Sequence, residues 1–129
     1  MASNNSVVTD ALRIKLAQIT AGAISALPKV KWIDVGSGGL DGSGSPKVPD
    51  GTATALEHKE GRYEVAEPEF PVPTTARFKI TIPEADLAGK SLSEMALVSE
   101  DDVLYAIRNT TPKQKDSDEE FELVFDLEF

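Results

Sequence analysis

The residues that could do chemistry lie between Gly36 and Ser91. Glu57, Glu60, Glu64, Glu67 and Glu69 supply carboxylates in number, and two carboxylates flanking a sugar linkage can cleave it. A run of glutamates along a strand and loop is more simply a solvated face. His58 is the sole histidine. A general base or a metal site needs organised partners, and the neighbours of His58 are charged surface types. Gly36-Ser37-Gly38 follows a strand pattern as in a dinucleotide-binding turn, but the sixth position is Asp41 and no helix pattern follows. Asp41-Gly42-Ser43-Gly44-Ser45 begins like a calcium loop. Pro46 stands where that loop turns on glycine, and no glutamate closes it. Ala88-Gly89-Lys90-Ser91 ends like a phosphate loop, yet Glu84 holds the place of its first glycine. No enzyme activity, catalytic residue, cofactor or metal is expected.

Composition points the same way. The chain has 129 residues, enough for one domain with a core of its own. There is no cysteine, so disulfides and thiolate sites are out. The formal net charge is -9 and the basic residues are scattered, which argues against nucleic acid. No apolar run reaches a membrane span, and the N-terminus lacks the pattern of a secretory signal.

The elements that position these residues are mostly strands. From Asp10 to Ala26 the pattern is helical, with Leu12, Leu16, Ile19, Ala23 and Leu27 on one stripe, Ser6 or Thr9 as N-cap and Pro28 as the stop. Residues 1–9 are expected to be flexible. Val30–Gly36 reads as a strand carrying Trp32, the one tryptophan, as a core or an interface anchor. Gly36–Gly51 is a long loop rich in glycine, serine and proline, a type that is often functional or mobile. Arg62–Phe70 reads as a strand weakened by Pro68. Ala76–Ile82 alternates with period two, Phe78, Ile80 and Ile82 on one face. Leu92–Ser99 and Val103–Asn109 flank the acidic turn Glu100-Asp101-Asp102, and Thr110–Ser117 reads as a polar connection. In the last strand, Glu119–Phe129, the residues Phe121, Leu123, Phe125, Leu127 and Phe129 share one face. Glu94 interrupts an apolar strand. Exposure to solvent is its simpler reading; otherwise it is a buried carboxylate satisfied by backbone amides or by an arginine such as Arg108. The fold class is mainly β (α+β): an N-terminal helix packed on an antiparallel β-sandwich or curled sheet of about six strands, in a single domain over residues 1–129.

Three segments resemble the N-terminal domain of phage tail-collar fibre proteins. They are Trp32-Ile33-Asp34-Val35-Gly36-Ser37-Gly38-Gly39; Pro49-Asp50-Gly51-Thr52-Ala53-Thr54-Ala55-Leu56-Glu57 before Arg62-Tyr63; and Ile82-Pro83-Glu84 with Gly89-Lys90-Ser91-Leu92-Ser93-Glu94-Met95-Ala96-Leu97, an acidic turn and Leu104-Tyr105-Ala106-Ile107. Family members tend to carry glycine where Asp102 stands, and they continue into a shaft and a receptor-binding tip. The resemblance implies a structural component of a phage tail or phage-like contractile particle, sited in the virion and assembled in the host cytoplasm. Its partners would be baseplate or tail-fibre proteins, and its assembly a homo-oligomer, with a trimer among the options. Leu12, Leu16, Ile19, Trp32, Leu40 and Val48 are the candidate interface residues. The competing reading is a stand-alone β-sandwich module that binds protein or carbohydrate. An aromatic content of 6%, mostly at strand-core positions, weakens the sugar-binding version.

Overall fold

A computed structural model describes residues 5–129. Two antiparallel sheets pack face to face, with one helix against the larger. The elements are β1 (Ser6–Val8), α1 (Asp10–Thr20), β2 (Val30–Gly36), β3 (Lys59–Glu64), β4 (Glu69–Val72), β5 (Thr75–Ile82), β6 (Ser91–Ser99), β7 (Leu104–Gln114) and β8 (Phe121–Glu128). The five-stranded sheet runs β1-β7-β6-β2-β3 and the three-stranded sheet β4-β5-β8. The described residues thus form eight strands, where about six were expected. Of the N-terminal stretch expected to be flexible, residues 1–4 lie outside the described residues, and Ser6–Val8 pairs with β7.

The helix starts where its sequence dictates. The Thr9 hydroxyl caps it by accepting from the Leu12 N–H, and donates in turn to the Leu104 carbonyl at 2.6 Å. It ends sooner than expected, at Thr20 rather than Ala26. Gly22 adopts a left-handed φ of 78°. Its N–H reaches the Ile19 carbonyl and that of Ala23 reaches Gln18, which is a Schellman stop. Glycine, not Pro28, therefore terminates the helix.

The single strand expected over Arg62–Phe70 is two strands in two sheets. The Val65 N–H bonds to the Lys31 carbonyl of β2, and the next N–H, from Ala66, to the Lys79 carbonyl of β5. The chain changes sheets between these two residues. It crosses back after Pro83, and Lys115 secures that crossing. The Lys115 side chain is fully buried and donates to the carbonyls of Glu84 (2.8 Å) and Asp116 (3.3 Å). Its ammonium also lies 5.9 Å from the centre of the Phe121 ring. The expected polar connection after Asn109 is in its first half more strand, since β7 continues to Gln114 opposite Ser91.

The core lies between the sheets. Ile33, Val35, Leu97 and Tyr105 of the large sheet meet Phe78, Ile80, Ile82, Phe125 and Leu127 of the small one, and Leu12 seals an end. A second apolar cluster gathers Leu56, Ala96, Val98, Leu104 and Ile107, with Trp32, Val7 and Ala53 half-buried beside it. Leu56 and Ala53 belong to the segment that joins β2 to β3. That segment folds over the large sheet, so β6 is buried on both faces from Leu92 to Ser99. A strand covered on both faces needs apolar residues at nearly every position, which explains the run Met95-Ala96-Leu97-Val98.

In β8 the expected alternation holds at its centre, with Phe125 and Leu127 buried, but Phe129 is exposed. Truncating Phe125 to alanine should lower unfolding free energy by about 3–5 kcal/mol, measured by denaturant unfolding. A loss below about 1 kcal/mol would contradict the packing.

Candidate functional site: a carboxylate that anchors the glycine loop

Glu94 is the buried charge about which the outer layer is built. It is 4% exposed, which overturns its reading as a solvent-facing residue. Its Oε2 accepts from the Gly38 N–H and the His58 N–H, each at 2.8 Å, and its Oε1 from the Glu57 N–H at 3.1 Å. Charge-assisted bonds of this kind offset the desolvation of a carboxylate. The satisfying donors are backbone amides, the second of the alternatives, not the Arg108 guanidinium.

The backbone must come very close for this to work. A Cβ on Gly38 would stand 2.7 Å from Glu94 Oε2 and from the Glu57 Cβ, closer than side chains approach. Gly39 has a φ of 75° and packs directly on the Asn109 amide. The loop is then tied at further points. Ser93 Oγ donates to the Gly38 carbonyl at 2.7 Å, Asn109 Nδ2 to the Lys47 carbonyl at 2.9 Å, and the Gly39 N–H to Glu57 Oε1 at 3.2 Å. The Glu57 carboxylate also meets Lys47 at 2.6 Å. The Lys47 ammonium and the Gly39 amide hold its pKa below the ordinary carboxylate value. At the tip, Asp41 accepts from the Ser43 and Ser45 amides, and a bridge joins Leu40 to Pro46.

Beside this anchor is an ion-pair network. Asp34 is 3% exposed and takes Nε (2.7 Å) and Nη2 (3.2 Å) of Arg62, while Lys59 lies 3.4 Å away. Arg62 also donates to Asp102 at 2.7 Å. Asp34 above all, and then Asp102, push the guanidinium pKa upward. Lys31 and Arg62 stand over the Trp32 ring at 4.8 and 5.8 Å from its centre. Asp102 has a φ of 65°, in the left-handed region that favours glycine and that aspartate tolerates.

The candidate interface residues are not one surface. Leu12 is 1% exposed and belongs to the core. Leu16 is half-buried against that core, and Ile19 is half-buried. Trp32 is half-buried on the outer cluster. Leu40 is half-buried in the anchored loop, whereas Val48 is 68% exposed there. The imidazole of His58 is also exposed, 3.7 Å from the Glu60 carboxylate; its backbone N–H is the part held by Glu94. Sequence reasoning missed Ser93, Asn109 and Lys115. Ser93 and Asn109 are polar residues inside or beside an apolar strand run, and that is the signal that would have found them; Lys115 sits among polar neighbours and gives none.

A second feature is an open groove of about 720 Å³ at one end of the sandwich, lined by Leu27, Val30, Val65, Phe70, Phe78 and Phe129 among others. Phe70 and Phe129 are 67% and 68% exposed. Among the described residues, no group of acidic residues and histidine is placed to hold a metal ion, and no helix is long and apolar enough to cross a membrane. No protein-family model matches this chain, and neither a curated protein nor a solved structure matches it.

The substitution Glu94→Gln keeps the shape but turns an amide NH₂ toward a backbone donor. It should lower unfolding free energy by about 2–3 kcal/mol, read by denaturant unfolding. Stability equal to that of the native chain would show that the carboxylate is not the anchor.

Proposed function

We propose that this chain is a structural component of a phage tail or phage-like contractile injection particle, docking at the baseplate or joining a tail fibre to it. One observation carries the reading. The three segments that resemble tail-collar fibre proteins are separate in sequence, yet they supply the two sides of one anchor. Gly38 comes from the first segment, Glu57 from the second and Glu94 from the third. The left-handed geometry of Asp102, at a place where that family tends to carry glycine, supports it as well. In this reading the anchor makes a stiff platform, and the loop beyond it presents Val48 and Leu40 to a partner. Stiffness of this kind reduces the ordering entropy lost on docking.

A binding module for protein or carbohydrate is the second reading. The groove with exposed Phe70 and Phe129 favours it.

The test is sedimentation of lysate from the producing cell. Travel with tube, sheath or baseplate proteins is the expected result, with Val48→Asp reducing the particle-bound fraction. A protein that stays in the small soluble fraction while intact particles sediment would overturn the proposal and leave the binding module as the better account.

A further inference from the structure

The four sheet edges are not alike. β1 is three residues long. β4 is four residues long and contains Pro71. β3 contains Gly61 and meets β2 through an irregular register at Gly36. Short strands, proline, irregularity and charged side chains are the usual ways of blunting an edge. β8 has only the last, in Glu122, Asp126 and Glu128. Its eight residues pair with β5 in unbroken register, from Ile82 opposite Phe121 to Thr75 opposite Glu128, and among the described residues β5 is its one neighbour in the sheet.

The direction of its free backbone groups follows from one hydrogen bond. The Phe129 N–H donates to the Thr74 carbonyl at 3.0 Å, and these residues stand opposite each other in the same register. In an antiparallel pair, bonded and non-bonded positions alternate. Leu127, Phe125, Leu123 and Phe121 therefore bond to β5. The N–H and C=O groups of Glu122, Val124 and Asp126 point away from it, along the open edge.

Charge then selects the occupant. Residues 116–129 hold seven acidic side chains and no basic one. Asp126 is answered by Arg77 at 2.9 Å, which holds its pKa down, but Asp118, Glu120 and Glu122 are exposed. A second copy of β8 would set these like charges against one another, which is destabilising across a strand pair. A strand of opposite charge would instead be attracted. On the inner face it would meet Phe121 and Leu123, both half-buried against the core.

We propose that the free edge of β8 receives an extended basic segment of a partner protein, which joins the small sheet as a fourth strand. Its basic side chains lie beside Glu122 on the outer face, and its alternate apolar side chains lie beside Phe121 and Leu123. Main-chain hydrogen bonds supply the binding, and the alternation supplies the selectivity.

The probe is a fluorescein-labelled peptide of alternating lysine or arginine and valine, titrated into the full chain at low salt. A control peptide of the same charge carries N-methyl groups on the residues that would donate to the edge. The N-methylated peptide is expected to bind about tenfold more weakly, the effect of losing a few main-chain bonds. The variant Val124→Pro should weaken the plain peptide by about as much. It leaves the β5 ladder intact, because the Val124 N–H does not serve it, and its melting transition checks this. Should that variant fail to fold, the two peptides on the native chain still decide. Equal binding of both peptides would show attraction by charge alone and overturn the proposal, as would no binding of the plain peptide.

Discussion

A buried carboxylate holding three backbone amides is the constraint on which the outer half of this molecule depends. Without Glu94, the Gly38, Glu57 and His58 N–H groups would face an apolar strand with no acceptor. Without those amides, Glu94 would be an isolated charge on a strand buried on both sides. Neither half is tolerable alone, because an unpaired buried polar group costs about 1–3 kcal/mol and a charge more. Together they fix both ends of a long segment that would otherwise be free to wander.

The rest of the outer layer follows from that fixed point. With its base tied to β6, the β2–β3 connection lays Leu56 and Ala53 on the outer face of the large sheet and closes a second apolar cluster. β6 thereby becomes the central plane of a three-layer arrangement: small sheet, large sheet and loop. The helix, the Asp34–Arg62 network and the Glu94 anchor all attach to this plane or its neighbours. The three sheet crossings, at Val65-Ala66, after Pro83 and between Gln114 and Phe121, are what let one chain supply both sheets.

Much of this was legible in the sequence, and the misses have physical causes. β2 was legible in full because valine, tryptophan and isoleucine leave little alternative. β5 and β6 were legible to within a residue, since alternation and apolar content are local properties. The helix was overextended because its apolar spacing continues past Gly22, whereas the backbone turns left-handed there. β3 and β4 were merged because nothing local marks the point where hydrogen bonds pass from one sheet to the other. The buried Lys115 was invisible, because its acceptors are backbone carbonyls, including one 31 residues away. For Glu94 the sequence offered two environments, and only the approach of Gly38, 56 residues distant, decides between them. The candidate interface mixed a core residue, Leu12, with an exposed one, Val48, because apolar character alone does not separate the two.

Amide hydrogen exchange of the native protein tests the anchor most directly. All three amides lie in or beside a connection whose glycine and serine content would give fast exchange if it moved freely. The account predicts that the Gly38, Glu57 and His58 amides exchange as slowly as those of the β6 core, because all of them open only when the sheet does. Exchange of these three amides at the rate of an unprotected loop, with β6 still protected, would contradict it.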